Sequence, residues 1–401
     1  MKQTAKHTKP LIPTLRFQEF SDSWYNKRLD EVSEINRGKS KHRPRNAKFL
    51  YGGNYPFVQT GDIREAGLYL DTYSQTYSEN GLKQSKLWDE GTLCITIAAN
   101  IAETSILKIK ACFPDSIIGL IPDKERSTVL FIKHQFDKFK IDIQRLSQGV
   151  AQDNLNKEKL SKIKFQFPSL LEQQKIATFL TSVDKKTTQL QEKKTLLEHY
   201  KKGVMQQIFS QEVRFKPTQV TASNNEAVSL NKYPDWEEKQ LGEIVVKNSS
   251  NISANKIEEN FGKYKIYGAS GILKKVDFYR EEEQYISIVK DGAGVGRTLL
   301  CDAQSTVLGT LDIIKAKINA NLYFIYTLLN NIDFTKYITG STIPHIYFKD
   351  YSKEKIKIPC IKEQTKIANF LSAIDKKIEL VHTQIENTQQ FKKGLLQQLF
   401  V

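Results

Sequence analysis

Two stretches of the chain carry apolar residues at alternating steps of three and four. Seven of ten such positions are apolar in residues 168–209, and eight of ten are apolar in residues 359–401. This spacing predicts α-helices with a coiled-coil seam. Neither stretch has an internal proline, and Pro168 and Pro359 stand at their starts, where a missing amide hydrogen costs nothing. We therefore expect two long unbroken helices.

The two stretches are copies of one another. Residues 168–209 align without a gap on residues 359–400 at an offset of 191, and 17 of the 42 positions are identical. Average residue usage would give about two or three identities by chance. The chain is therefore internally duplicated, and the duplication governs its architecture.

The apolar stripes need partners. A helix of about 40 residues is about 60 Å long, which is too long to fold back on a small domain. We expect the two helices to pack antiparallel within one chain, because an in-chain partner is entropically favoured over a second copy. Pairing between two chains in a dimer is the alternative. The expected interface consists of Ile176, Leu180, Val183, Leu190, Leu197, Val204, Ile208, Ile367, Leu371, Ile374, Ile378, Val381, Ile385, Leu395 and Leu399.

A second repeat opens each half of the chain. A Trp-x4-Leu-x-Glu-aliphatic pattern starts at Trp24 and again, at an offset of 212, at Trp236. Each opening leads into a variable region, and residues 216–232 between the halves have linker composition. We expect an α+β chain with two pseudo-twofold-related mixed α/β domains, separated by the antiparallel pair of long coiled-coil helices. The first domain would span residues 1–167, and the linker with the second domain residues 210–358.

The 401-residue chain is basic, with 60 Lys and Arg against 45 Asp and Glu and a net charge of +15. This balance favours polyanionic partners, with nucleic acid first and ribosome or membrane surfaces as alternatives. The first ten residues lack the apolar core of a signal peptide, and no apolar run approaches the ~18 residues of a membrane span. We therefore expect a cytoplasmic protein without membrane contact. The four cysteines show no CxxC pair and no metal-ligand spacing, which indicates reduced thiols and no metal site.

The repeated motifs resemble the conserved regions of type I restriction-modification specificity subunits. The resemblance rests on KKGVMQQIF and KKGLLQQLF at the helix ends, EQQKIA and EQTKIA near the helix starts, and the two Trp-led openings, and it covers essentially the whole chain. Shorter stretches of the variable regions are also similar to the family. These are YPFVQTGDI (55–63), YGASG (267–271), DGAGVGR (291–297) and GSTIPHI (340–346).

The resemblance implies a DNA-recognition subunit that is not catalytic alone. Each variable region would be a target-recognition domain reading one part of a split double-stranded DNA target. The partners would be two methylation subunits and two translocating restriction subunits, with S-adenosylmethionine, ATP and Mg in those partners and no cofactor in this chain. Two related readers approach one face of a duplex when their contact centres lie about one turn, ~10 bp, apart, so we expect an unread spacer whose length the helices set.

Candidate DNA contacts in the first variable region form two groups. A basic run without acidic residues suits phosphates, and a solvated flexible loop is the alternative. A polar stretch after an apolar run, expected to be a loop, could read bases in the major groove. The basic group is Arg37, Lys39, Lys41, Arg43, Arg45 and Lys48, and the polar group is Gln59, Thr60, Asp62 and Arg64.

Candidates in the second variable region lie in Gly-rich turns, where small residues let the backbone approach a phosphate. The alternative is that these glycines only satisfy turn geometry, and that the histidine caps or packs. The candidates are Ser270, Lys290, Asp291, Arg297 and His345.

No catalytic pattern stands out. Gly38-Lys39-Ser40 resembles the end of a P-loop, but Ser33 stands where the first glycine belongs. DGAGVGR lacks a convincing βαβ unit after it, and no Asn-Pro-Pro or Asp-Pro-Pro motif of an amino-methyltransferase occurs. We expect no catalytic residue in this chain. Two other interpretations stay open: a coiled-coil scaffold that binds other proteins, and the remnant of a fused restriction-methyltransferase.

Overall fold

The computed structural model describes residues 12–146, 155–217 and 232–401. The first ten residues, where no signal peptide is expected, lie outside this part of the chain. Most of the expected linker at 216–232 also lies outside it.

The chain divides into two compact units, and each includes part of both long helices. Unit 1 comprises Met1–Gln191 with Thr383–Val401, and unit 2 comprises Glu192–His382. The helices are α1 (Leu29–Val32), α2 (Thr60–Ala66), α3 (Glu79–Lys83), α4 (Val129–Leu146), α5 (Lys157–Ser161), α6 (Leu170–Phe209), α7 (Leu241–Ile244), α8 (Leu322–Asn331), α9 (Phe348–Tyr351) and α10 (Ile361–Leu399). The strands are β1 (Tyr25–Arg28), β2 (Ser33–Arg37), β3 (Tyr51–Phe57), β4 (Tyr69–Leu70), β5 (Gln75–Tyr77), β6 (Leu87–Trp88), β7 (Leu93–Thr96), β8 (Thr104–Leu107), β9 (Ala111–Cys112), β10 (Ile117–Pro122), β11 (Lys164–Phe167), β12 (Glu237–Gln240), β13 (Val245–Ser249), β14 (Tyr264–Gly268), β15 (Gly271–Val276), β16 (Tyr285–Val289), β17 (Thr298–Cys301), β18 (Thr306–Val307), β19 (Leu311–Ala316) and β20 (Lys355–Ile358).

Unit 1 contains two sheets and a two-stranded ribbon. In the sheet ordered β2-β10-β7-β8-β4, β10 runs antiparallel to both neighbours, with Leu120 opposite Ile35 and Leu93. In the sheet ordered β5-β3-β9-β6, β3 is antiparallel to β5 and parallel to β9. Strands β7 and β8 are buried at every position, so the first sheet is covered on both faces.

Unit 2 repeats this topology with a different variable sequence. In the sheet ordered β13-β19-β16-β17, β19 is antiparallel to β13 and β16. In the sheet ordered β15-β14-β18, β14 is antiparallel to β15 and parallel to β18. The order and directions match β2, β10, β7 and β8 to β13, β19, β16 and β17, and they match β3 to β14. The two units therefore share a fold beyond the residues that align in sequence.

The duplicated Trp opening builds the same core in each unit. Each opening continues into a strand paired antiparallel with the strand before a long helix, β1 with β11 and β12 with β20. The ring of Trp24 lies 6.0 Å from Phe131 of α4, and that of Trp236 lies 6.2 Å from Phe324 of α8. The repeated tryptophan is a core residue because both copies meet the helix that covers their sheet.

Each unit combines the start of one long helix with the end of the other, so the helices run antiparallel where they pack. The sequence predicts that each stripe packs on the other helix, and the structure adds that the stripe ends enter the cores of the two units. They do so because the helix ends lie against α4 and α8. In unit 1 the core includes Ile176, Leu180, Val183, Leu395 and Leu399, and in unit 2 it includes Ile208, Ile367, Leu371 and Ile374.

Most of the expected helix-pair positions are buried. Leu197, Val204 and Ile378 are half-buried. The twelve buried positions are Ile176, Leu180, Val183, Leu190, Ile208, Ile367, Leu371, Ile374, Val381, Ile385, Leu395 and Leu399.

Matching ion pairs join the helices inside each unit. In unit 1, Lys392 Nζ of α10 lies 2.7 Å from Asp184 Oδ1 of α6. In unit 2, Lys201 Nζ of α6 lies 2.6 Å from Asp375 Oδ1 of α10. The two pairs are copies of each other at the offset of 191. The duplication therefore repeats interhelical contacts as well as helix patterns.

A buried charge cluster lies where α4 meets α10 in unit 1. Asp137 is contacted by Lys133 (2.5 Å) and by Lys392 (3.4 Å). His134 is fully buried, with Nδ1 3.6 Å from Asp137 Oδ2. Burial lowers the pKa of His134 from its ordinary 6.5, against the opposing interaction with Asp137. Burial acts to raise the pKa of Asp137, but Lys133, His134 and Lys392 outweigh it and lower that pKa.

Unit 1 should lose stability as the pH falls below about 6.5. The folded state favours neutral His134, so the unfolded state binds more protons from the ordinary pKa of 6.5 down to the lowered pKa of the folded imidazole. Asp137 has the same sign but acts only below its ordinary 3.8. His134→Gln should flatten the upper part of this dependence, measured as the thermal midpoint at about pH 7.5 and about pH 5.5. The exposed His199→Gln is the control, and an equal slope in both variants would contradict the assignment.

The described residues contain no helix long and apolar enough to cross a membrane. All four cysteines are free, three of them buried and Cys360 half-buried. Burial raises the pKa of Cys301 to about 11, which keeps this thiol protonated near neutral pH. Within the same described part of the chain, no group of three His, Cys, Asp or Glu side chains could hold a metal ion.

Candidate functional site

The basic run of unit 1 connects β2 to β3 and has a defined path. Gly38 packs so closely that a Cβ there would lie 2.2 Å from the carbonyl oxygen of Pro114. The Ser85 hydroxyl donates to the carbonyl of Lys39 (2.8 Å). The glycine that resembles a P-loop residue is therefore required by packing.

The arginines and lysines of this run have different surroundings. Arg37 donates to the carbonyl of Asp115, Arg45 Nη2 lies 2.7 Å from the Asp115 carboxylate, and Arg43 donates to the carbonyl of Ser40 (2.7 Å). These arginines hold the loop. The exposed lysines without an ion-pair partner in the described chain are Lys39, Lys41 and Lys48. The lysines are thus the free charges that could meet phosphate groups.

The polar group of unit 1 is helical, and the expected loop is wrong. Its members lie on α2 or at its N-cap: Gln59, Thr60, Asp62 and Arg64. Asp62 Oδ2 accepts from the backbone amide of Gln59 (2.8 Å), which caps the helix. Gly61-Asp62 has turn composition, but a carboxylate at the third helical position stabilises a helix start. The cap, and not the composition, decides the conformation.

The α2 side chains differ in what they could contact. Asp62 also accepts from the Ser74 hydroxyl (3.2 Å), so its carboxylate is committed to local structure. Gln59 donates to Gln75 Oε1 (2.8 Å). Arg64 is exposed, with Glu65 at 3.7 Å. Of these side chains, Arg64 is the one whose charge faces solvent without a strong internal contact.

Unit 2 brings four of its five candidates into one loop cluster. Gly292 donates to the carbonyl of Pro344 (2.9 Å), which joins the turn carrying Asp291 and Arg297 to the segment carrying His345. The Arg297 guanidinium donates to the carbonyl of Ala269 (2.9 Å), next to the exposed Ser270. We call the turns at residues 269–271, 291–297 and 339–346 the unit 2 loop cluster.

Two members of the cluster are tied to structure. Lys290 Nζ lies 3.3 Å from Asp312 Oδ1, and that carboxylate is buried. His345 exchanges two backbone hydrogen bonds with Thr339 (2.8 and 2.9 Å), and its ring stands edge-on to Tyr347 at 5.3 Å. The Lys290 charge therefore neutralises Asp312, whereas Arg297 points its guanidinium at an exposed loop surface.

One loop of unit 1 has no marked residue although it is the counterpart of DGAGVGR. Residues 97–103 join β7 to β8, as residues 290–297 join β16 to β17. Glu103 donates to the carbonyl of Asn100 (3.3 Å), and Arg297 donates to that of Gly294 (3.0 Å) in the same way. Glycines mark the loop in unit 2, but unit 1 has none. Aligning the flanking apolar strands is the only sequence signal that could have found it.

Comparison with known proteins gives one family. The family model described as the type I restriction modification DNA specificity domain matches residues 21–199 and 233–389, which is most of the chain. The chain is 23% identical over 402 residues to the type I restriction enzyme MjaIX specificity subunit of Methanocaldococcus jannaschii, covering 94% of this chain and 92% of that protein. It is 30% identical over 180 residues to the MjaVIII specificity subunit of the same organism, covering 41% and 42%.

A solved structure has the same fold. The crystal structure of a type I restriction-modification system S subunit from M. genitalium matches with a TM-score of 0.65 and 17% identity, covering 97% of this chain and 99% of that chain. At this identity the likeness concerns the fold, and it includes both units.

Proposed function

Because the chain belongs to the family of type I restriction modification DNA specificity domains, we propose that it is the DNA-recognition subunit of a type I restriction-modification complex. The observation that carries the proposal is the coverage of the family match, which includes both units. One specificity domain per unit fits a protein that reads two pieces of DNA. The scaffold and fused-remnant interpretations explain neither the duplication of the domain nor its family, and they are not favoured.

Each unit would read one half of a split target. The two share a topology but differ in their exposed loops, with α2 and a glycine-free turn in unit 1 and a Gly-rich cluster in unit 2. Specificity in the major groove comes from side chains that match the edges of base pairs, so different loops read different bases. The two halves of the target should therefore have unlike sequences.

This chain would contribute position and the partners chemistry. We propose two methylation subunits, which would use S-adenosylmethionine, and two restriction subunits, which would use ATP and Mg, around one specificity subunit. A methyltransferase must take its target base out of the duplex, and a bound specificity subunit would place that base. The residues of this chain would bind and orient DNA.

Co-expression with its methylation subunits should give a complex that methylates one split sequence. The products are read by sequencing methylated adenines on genomic DNA from cells with and without this chain. Two separated half-sites with a constant gap support the proposal. Methylation by the chain alone, or methylation without sequence preference in the complex, would contradict it.

The lysines of the β2–β3 loop should set the salt dependence of binding. Each of Lys39→Ala, Lys41→Ala and Lys48→Ala should reduce the slope of log affinity against log salt by about 0.9, because each lysine releases one counterion from a phosphate. Base preference should stay unchanged. Lys124→Ala is the matched control, an exposed lysine just after β10, at the opposite end of the sheet from this loop. Equal slopes for the control and the loop variants would remove this loop from the DNA interface.

A further inference from the structure

The turn at residues 97–103 of unit 1 has an unusual backbone. Ala99, Asn100 and Ala102 have φ values of 41°, 57° and 64°. They are half of the six non-glycine residues with positive φ in the described chain. Side chains other than glycine avoid this region because Cβ crowds the backbone, and alanine avoids it more than asparagine. Such conformations persist where the surroundings hold them, and they gather at functional sites.

The surroundings of the turn hold it firmly. The hydroxyl of Thr96 donates to the carbonyl of Asn100 (2.5 Å) and accepts from the amide of Glu103 (3.0 Å). Gln144 of α4 donates to the carbonyl of Ile101 (2.9 Å). Thr96 is buried, as is Ala102 at the base of the turn. The tip is therefore presented on a rigid support.

Unit 2 makes the same turn with glycine. Gly294 and Gly296, with φ values of 86° and 85°, stand where unit 1 has Asn100 and Ala102. A Cβ on Gly294 would lie 3.3 Å from Arg297 Cζ, so the guanidinium covers this tip. Unit 2 thus presents a guanidinium at the tip and needs no side chain at Gly294.

Unit 1 presents a different group at the same place. Glu103 stands at the position of Arg297, but Lys140 Nζ of α4 holds its carboxylate at 2.6 Å. Asn100 is exposed, and its carboxamide has no hydrogen-bond partner among the described residues. The tip of unit 1 therefore offers one free carboxamide on a fixed backbone.

We propose that Asn100 is a specificity-determining residue that reads an A·T pair in the half-site of unit 1. A carboxamide has a donor and an acceptor side by side, which match N7 and the N6 amino group of adenine in the major groove. Arg297, at the equivalent tip of unit 2, has the fork that matches O6 and N7 of guanine. The inference rests on the proposed function and adds to it the residue and base that distinguish the half-sites.

The test uses the assembled complex with its methylation subunits and a library of duplexes randomised in both half-sites. Asn100→Gly removes the carboxamide and keeps the backbone, since glycine adopts positive φ freely. We expect its thermal midpoint not to fall, its affinity for the wild-type target to fall about tenfold or more, and its preference for adenine to vanish at one position of one half-site. Asn100→Asp should likewise lose that adenine, since a carboxylate cannot donate to N7.

Ala99→Gly is the matched control, because it relaxes the neighbouring residue of the turn without removing a hydrogen-bonding group. It should select the same sequences as the wild type. If Asn100→Gly also selects the wild-type sequences, or if both glycine variants lose selection equally, the assignment of Asn100 fails while the proposed function stands. If the wild-type complex selects no sequence, the proposed function fails with it.

Discussion

Deleting residues 395–401 should unfold unit 1 and leave unit 2 folded. The deleted segment contributes Leu395, Leu396, Leu399 and Phe400 to the core of unit 1. Burying each such side chain stabilises by about 1.5–3 kcal/mol, so the loss is about 6–12 kcal/mol. A whole domain is stable by only about 5–15 kcal/mol, and the deletion removes most or all of that margin.

The contacts of Phe400 make the effect specific to unit 1. Its ring lies 5.2 Å from Phe131 and 6.4 Å from Trp24, so its loss opens the centre of that core. Amide hydrogen exchange resolved by peptide measures the two units separately. The control is Gln397→Ala with Gln398→Ala, which changes two exposed side chains of the same helical turn. Protection of β7, β8 and β10 at the wild-type level in the deleted chain would overturn the prediction.

Removing the buried carboxylate at the start of either long helix should have the next largest effect. Arg16 holds Glu172 with two hydrogen bonds of 2.8 Å, and Arg214 holds Glu363 with hydrogen bonds of 3.2 and 2.8 Å. Both glutamates are at most 1% exposed. Breaking a buried ion pair leaves an uncompensated charge and costs about 3–5 kcal/mol. Glu172→Ala should destabilise unit 1, and Glu363→Ala should destabilise unit 2, by that amount.

Chemical unfolding of the purified chain, followed by exchange at each unit, measures both effects. Glu19→Ala is the control, since its 3.0 Å contact with Lys175 is half exposed and such pairs contribute about 0–1 kcal/mol. Replacing both partners, as in Arg16→Met with Glu172→Leu, should recover part of the loss because no charge is left buried. A loss below about 1 kcal/mol in Glu172→Ala would show that the pair contributes no more than a surface contact.

The candidate site was only partly accessible from sequence. The Gly-rich motif pointed to the unit 2 loop cluster, because glycines mark turns directly. Its counterpart at Asn100 stayed hidden, since alanine and asparagine do not mark left-handed backbone. Lys290 looked like a free charge until the fold placed it on Asp312, which lies on the neighbouring strand β19. Pairing between side chains distant in sequence has no local pattern.

The EQQ and EQT motifs show a similar limit. They identified a repeat, but the role of each residue came from partners far along the chain. Gln173 donates to the carbonyls of Arg126 and Pro168, and Gln364 donates to those of Asn319 and Pro359. A repeat shows that the residues matter in both copies, whereas only the fold shows what they hold.

By itself the sequence determined the two long helices, their duplication and the family, because helical periodicity and repeated motifs are written in neighbouring residues. Tertiary structure decided that the helix ends belong to the cores of the two units, that α2 replaces the expected loop, and that the variable regions share one topology. Those features depend on contacts between residues separated by tens to hundreds of positions, as between Trp24 and Phe400. Such contacts exist only once the chain has closed on itself, so no local pattern could reveal them.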